Sequence, residues 1–263
     1  MDLKVSNLEV FLENKRILKN IHLEAHEGEI ISLIGPNGSG KSTLVKTISR
    51  LIKAHSGEIS YSGRRIGSIP TKELARLIAV LPQEKKLNTD LTVEQLVSYG
   101  RHPHLSFGNR FGSEDREIVM EAMRLTGMAD YWDRSMHSLS GGERQRAWIS
   151  MALAQQPRFL ILDEPTTYLD ISYQMEVLEL VENLNRSLGI TVLMVLHDLN
   201  HAWRYSDSIY VLKDGSVHSH GRPGDVIDRN MLKDVFGIDA RIYEDTANNC
   251  KFFIPGGRTK EGA

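Results

Sequence analysis

The stretch IISLIGPNGSGKST, residues 30–43, constrains the chain more than any other. Ile30–Ile34 is apolar on both faces, as a central parallel strand would be. Directly after it, Gly35-Pro36-Asn37-Gly38-Ser39-Gly40-Lys41-Ser42 satisfies the pattern G-x-x-x-x-G-K-[ST] in full, followed by Thr43. A helix is predicted from about Lys41 to Leu51. The three glycines let the backbone curl so that several N–H groups converge on phosphate oxygens. Lys41 adds a point charge for β- and γ-phosphates, and Ser42 offers a hydroxyl to Mg²⁺. A glycine-rich strand–helix turn matching by accident is expected on the order of once in a hundred chains of this size, and the strand–loop–helix context lowers that. The segment points to ATP with Mg²⁺.

Around it, Leu3–Leu12 and Ile17–Leu23 alternate as strands, and Ser56-Gly57 and Ser62-Gly63 bracket another at 58–61. From about Leu91 to Gln155 the apolar spacing turns helical, at 93–98 and 116–125, with a Gly- and Pro-containing loop at 100–112. Strands return at 159–162, 191–196 and 208–212, with a long helix from about Ser172 to Leu188. The pattern is an α/β sheet carrying a helical insertion. Net charge is −2 over 263 residues, so electrostatics provides no reason to expect a nucleic-acid partner. The longest apolar runs, such as 190–196, are too short to span a membrane. MDLKVSNLEV lacks the basic and apolar regions of a signal peptide, and the single cysteine, Cys250, excludes an intramolecular disulfide. A cytoplasmic protein is the expectation.

PheLeuIleLeuAspGluPro, 159–165, ends an apolar run on two carboxylates, and the carboxyl end of a parallel strand is where ligands sit. Asp163 is suited to hold Mg²⁺ through its water shell, and Glu164 to polarise an attacking water. Acids ending a strand in solvent are common, so the P-loop decides in favour of chemistry. His197 follows the next strand, where a γ-phosphate would lie. Gln83 also ends an apolar segment, and its amide could meet Mg²⁺ or the water. His102 and His104 flank Pro103, and His218 and His220 alternate on an edge strand; neither pair has carboxylate or cysteine company at metal-site spacing. LeuSerGlyGlyGluArgGlnArgAlaTrp, 139–148, opens a helix with a serine and two glycines, which makes a second anion site.

GPNGSGKST, Gln83, LSGGERQR (139–146), LILDEP (160–165), ThrTyrLeuAsp (167–170) and His197, in this order, resemble the ATP-binding subunits of ABC transporters over nearly the whole chain. The resemblance implies a P-loop NTPase (ABC ATPase) fold, α/β with a parallel-sheet core, an N-terminal antiparallel β subdomain and an inserted helical subdomain. Residues 1–263 would form one such domain: a catalytic core from 1–90 and 156–236, a helical subdomain at 91–155, and a C-terminal extension at 237–263. It implies Glu164, His197 and Gln83 as the catalytic set, with Ser42, Gln83 and Asp163 around Mg²⁺. It further implies a head-to-tail homodimer. Ser140, Gly141 and Gly142 would contact the γ-phosphate held by Lys41 of the partner subunit, and Asp170 would pass between the two sites. The family places an aromatic ahead of the second strand to stack on adenine. That position falls on Leu12, with Phe11 adjacent: Phe11 serves if the register shifts, and otherwise the base rests on an aliphatic surface.

Segments 91–104, 167–181 and 195–207 are similar, more finely, to ATPases of importers for ferric siderophores, haem and cobalamin. That likeness implies integral membrane permease subunits, an extracytoplasmic substrate-binding protein, and a peripheral place on the cytoplasmic face of the membrane. The groove for the permease would lie near Gln83 and Arg101–His104. A soluble ABC ATPase of DNA repair, translation or iron–sulfur assembly is the competing class; the coiled-coil insertion, second ABC domain or basic face usual there is not evident. A module that holds ATP without turnover fits poorly with intact Glu164 and His197, and an exporter subunit is the weakest alternative.

Overall fold

A computed structural model describes residues 2–83, 90–105, 111–245 and 250–258. Along the chain run β1 (Leu3–Leu12), β2 (Lys15–Ala25), β3 (Ile30–Ile34), α1 (Lys41–Ile48), β4 (Ser56–Tyr61) and β5 (Arg64–Arg65). Then come α2 (Thr71–Leu77), β6 (Ile78–Leu81), α3 (Val93–Ser98), α4 (Ser113–Leu125), α5 (Gly141–Ala154), β7 (Phe159–Asp163) and α6 (Ile171–Leu188). The remainder is β8 (Thr191–Val195), α7 (Leu199–Tyr205), β9 (Ser208–Lys213), β10 (Ser216–Gly221), α8 (Pro223–Val226), α9 (Arg229–Phe236), β11 (Ile238–Asp245) and β12 (Cys250–Arg258). Among the described residues no helix is long and apolar enough to cross a membrane.

The chain divides into two compact units, Met1–Gly67 with Leu193–Ala263, and Ser68–Val192. In the first, β2-β1-β4-β5 form an antiparallel sheet. Leu3, Val5, Leu8 and Val10 of β1 are buried with Leu18, Ile21, Leu23 and Ala25 of β2; the alternation of a half-buried strand slips by one residue in each strand, where Asn7 and Asn20 take positive φ (48° and 53°) at shifts of register. Glu13 and Asn14 both take positive φ, 48° and 65°, which closes the β1–β2 hairpin in two residues. In the same unit β9 lies parallel to β3, with β10 antiparallel outside it. Leu196 N–H at the end of β8 donates to Leu33 O at 3.2 Å, on the other flank of β3. The Tyr210 hydroxyl accepts from Glu24 N–H and donates to Glu24 O, tying β9 to β2; burial raises its pKa. The stretch after Gly237, which the sequence shows only as an extension, forms the β11–β12 hairpin. Phe253 N–H donates to Asn200 Oδ1 of α7, and Tyr243 stacks on Phe252 with centroids 5.6 Å apart.

The second unit holds β6 parallel to β7, with Ile78 opposite Phe159 and Leu81 opposite Leu162. It takes in β6, β7 and α6 as well as the helical stretch 91–155. Helices α3, α4 and α5 pack together around buried Leu96, Val97, Val119, Met123 and Ile149. Buried Arg101 closes this group: it donates to Asp115 Oδ1 (2.9 Å), Ala154 O (2.8 Å) and Gln156 Oε1 (3.0 Å). A cation on the last carbonyls of α5 also opposes the negative end of that helix. Burial alone would raise the Asp115 carboxyl, but the Gly112 N–H and the Arg101 guanidinium hold it below the usual range.

Candidate nucleotide-binding and hydrolysis site

In the first unit, the buried strand β3 delivers the chain into a loop in which Gly35, Gly38 and Gly40 all have positive φ (147°, 79° and 107°). Gly40 is the left-handed N-cap of α1 and makes no side-chain cap, so the first N–H groups of that helix are left for an external acceptor. Lys41 is buried, and its Nζ donates to Gly35 O at 2.7 Å and Pro36 O at 3.0 Å, which keeps the ammonium inside the curl of the loop. Ser39 Oγ is buried and has no hydrogen-bond partner among the described residues. A buried hydroxyl left unpaired costs free energy unless a ligand satisfies it. Together these groups suit a polyphosphate. Gly215 N–H, in the β9–β10 turn, donates to Ser39 O at 3.1 Å and braces the loop from behind. His197 stands exposed two residues beyond β8, in the same unit.

In the second unit, Asp163 is the buried last residue of β7 and Glu164 follows with φ 54°. A non-glycine residue in the left-handed region is strained, and such strain gathers at functional sites. Glu164 Oε2 accepts from Gln83 Nε2 at 2.5 Å and from Thr167 Oγ1 at 3.0 Å. Gln83 arrives there because Leu81 and Leu162 are opposite each other and both chains run on by two residues. Its bond to Glu164 uses the amide nitrogen, which leaves the amide oxygen as the atom able to meet a cation.

The LSGGERQR stretch, 139–146, lies in the same unit. Ser140 is the N-cap of α5 in a reciprocal capping box: Glu143 N–H donates to Ser140 Oγ (3.2 Å), and Ser140 N–H donates to Glu143 Oε2 (2.7 Å). The Ser140 N–H is the main reason the Glu143 carboxyl titrates below its usual range, with smaller help from the Ser140 and Tyr131 hydroxyls. Gly142 lies so close to Tyr173 of α6 that a Cβ there would sit 2.4 Å from the ring. Asp170 is the exposed N-cap of α6, between Tyr168, 97% exposed, and Ile171, 78% exposed.

Residues 18–167 match the ABC transporter family. The chain belongs to that family. Among its relatives, the iron(3+)-hydroxamate import ATP-binding protein FhuC of Bacillus subtilis is 46% identical over 94% of this chain and 92% of its own length. The ferric enterobactin transport ATP-binding protein FepC of Escherichia coli is 41% identical over 92% of this chain and 90% of its own. A metal-chelate type ABC transporter solved in an inward-facing conformation superposes with a TM-score of 0.84 at 24% identity, covering 96% of each chain, and shows the ABC ATPase fold. A dimeric bacterial ABC transporter cassette superposes at 0.72 and 31% identity over 84% of this chain and 98% of its own. As an ABC ATPase this chain binds ATP, and its family couples hydrolysis to transport.

Three residues that touch the candidate site residues are not singled out by the sequence. Thr167 was visible only as part of ThrTyrLeuAsp, and its bond to Glu164 depends on the turn after β7. Glu143 could have been found, since Ser-x-x-Glu before a helix is the capping-box pattern. Tyr173 as the neighbour of Gly142 depends on how α5 and α6 pack, which no local pattern encodes. Within 99–105, Arg101 points inward, while Tyr99 and His102 form an exposed ring pair with centroids 5.3 Å apart. His104 binds Gln155 O at 2.9 Å, and burial lowers its pKa. Phe11 packs its ring on His55, centroids 4.8 Å apart.

Proposed function

We infer that this chain is the ATP-hydrolysing subunit of an ABC importer for a ferric siderophore-type iron complex. The observation that carries the substrate class is the 46% identity, over nearly the full length of both chains, to an iron(3+)-hydroxamate import ATPase. The runner-up cargo is cobalamin, since a cobalamin import ATP-binding protein of Halobacterium salinarum is 40% identical, although this chain spans only 64% of it. Haem is the third option.

The chemistry follows from the held carboxylate. Glu164 takes a proton from water and so sharpens its attack on the γ-phosphate, while Gln83 and Thr167 keep that carboxylate from turning away. The P-loop N–H groups, Lys41 and the Ser39 hydroxyl hold the phosphates, and His197 meets the γ-phosphate. Mg²⁺, for which Ser42, Gln83 and Asp163 are the residues suited, supplies charge neutralisation when bound.

A second copy of the chain supplies Ser140, Gly141, Gly142 and Asp170 to each ATP, and the exposed Tyr168 and Ile171 beside Asp170 suit that contact. ATP binding then closes the dimer and hydrolysis reopens it. Permease subunits dock from the membrane, with Tyr99 and His102 offered outward by the segment next to the α5 clamp. A substrate-binding protein acts through that complex from the other side, which puts this chain on the cytoplasmic face.

Uptake by a deletion strain carrying either the wild-type gene or Glu164→Gln tests the cargo. Loss of labelled ferric hydroxamate or catecholate uptake, with cobalamin and haem uptake intact, is expected. Normal ferric uptake by the deletion strain would overturn the assignment.

A further inference from the structure

Ser140 is held by more than its own turn. Its N–H donates to Glu143 Oε2 at 2.7 Å, and its hydroxyl bonds the same carboxylate while accepting from Glu143 N–H at 3.2 Å. A further donor comes from outside α5: the hydroxyl of Tyr131, at the end of the turn Ala129–Tyr131. A serine hydroxyl has one proton to give, so the proton that Ser140 directs at Glu143 is the one a phosphate would need. Gly141 and Gly142 N–H, in the first turn of α5, have no intrahelical partner and are the other donors of this helix end.

Tyr131 is itself fixed. Its N–H donates to Met128 O at 3.0 Å, its carbonyl accepts from Arg134 N–H at 2.9 Å, and the Arg134 guanidinium lies over its ring, 4.7 Å from the centroid. The same turn is seated on the start of α3, where Val93 N–H donates to Arg134 O (3.0 Å) and Glu94 N–H to Trp132 O (2.9 Å). The bond to Glu143 and the charge of that carboxylate push the phenol above its ordinary range, against Arg134 and Arg146, so it remains a donor at neutral pH. A capping box needs only the Ser140 pair, and the phenol is surplus to that role.

We propose that Tyr131 is a positioning residue for the ATP held by the partner subunit: by holding the Glu143 carboxylate it lets the Ser140 hydroxyl turn from that carboxylate to the γ-phosphate. The inference rests on the shared-site reading of the dimer. Without the phenol, Glu143 depends on Ser140 alone, and a charged acceptor binds its remaining donors tightly. Its charge is also less compensated at the helix end where a second anion must arrive. A glutamine at 143 removes both effects, because its amide oxygen accepts without carrying charge.

Analytical ultracentrifugation of the full chain carrying Glu164→Gln, titrated with ATP, tests this. Tyr131→Phe is expected to raise the ATP concentration for half-maximal dimer by about threefold or more. Adding Glu143→Gln to Tyr131→Phe is expected to bring it back within about twofold of the parent, which a merely loosened helix would not do. A smaller shift in Tyr131→Phe, or a loss that persists when Glu143→Gln is added, overturns the assignment. If the parent stays monomeric at saturating ATP, the shared site falls and the role of Tyr131 with it. A parent that dimerises while Tyr131→Phe matches it removes Tyr131 alone.

Discussion

Gln83 and Glu164, 81 residues apart in sequence, share a hydrogen bond of 2.5 Å because β6 and β7 run parallel with Leu81 opposite Leu162. The register makes the contact inevitable once each strand continues for two residues. Thr167 adds a second donor to the same oxygen. The carboxylate we propose as general base is thus oriented from a neighbouring strand and from its own turn, next to a backbone held at positive φ.

Thr167→Val keeps the shape of the side chain and removes the hydroxyl donor. Steady-state ATP hydrolysis is expected to show kcat reduced about tenfold, the scale of one hydrogen bond to a charged group, with KM little changed. An equal loss in KM alone would mean that Thr167 serves binding and not the base.

Gly142→Ala drives a methyl group into the Tyr173 ring. Overpacking of this kind costs about 1–3 kcal/mol, which thermal denaturation would register as a lowered Tm. Tyr173→Leu in the same chain makes room and is expected to recover most of the loss. If Gly142→Ala melts like the wild type, the close approach of α5 to α6 is wrong.

His104 carries a pH signature. Burial lowers its pKa below the ordinary 6.5, partly opposed by Gln155 O, with Arg101 and Arg76 nearby adding to the lowering and Asp115 opposing it. The unfolded chain therefore binds the extra proton first as pH falls below that value, so stability declines between the unfolded and the folded pKa and is fully present above 6.5. Urea midpoints across this window are expected to fall with pH in the wild type and to fall less in His104→Gln.

Much of this was legible in the chain itself. IISLI followed by GPNGSGKST dictated a buried strand, a tight loop and a helix, because apolar run, glycines and lysine each have one physical reading there. The helix ended at Ile48 and not Leu51, since Ser49 caps it and Arg50 turns to φ 62°. The hairpin after Gly237 was illegible: its strands mix polar residues and glycine, and their pairing relies on contacts with α7 and α9. The faces of Phe11 and Leu12 were undetermined for a related reason. Alternation says only that the two are opposite; which face meets the P-loop is decided by Leu18 and Gly40, distant in sequence.

The central claim is that each catalytic site is completed by a second copy of the chain, with ATP between them. Light scattering on Glu164→Gln, expected to bind ATP without hydrolysing it, tests this most directly. Monomers without nucleotide, dimers with ATP, and monomers again when Ser140→Arg is added are the results expected. Glu164→Gln remaining monomeric at saturating ATP, or hydrolysing it at the wild-type rate, would contradict the account.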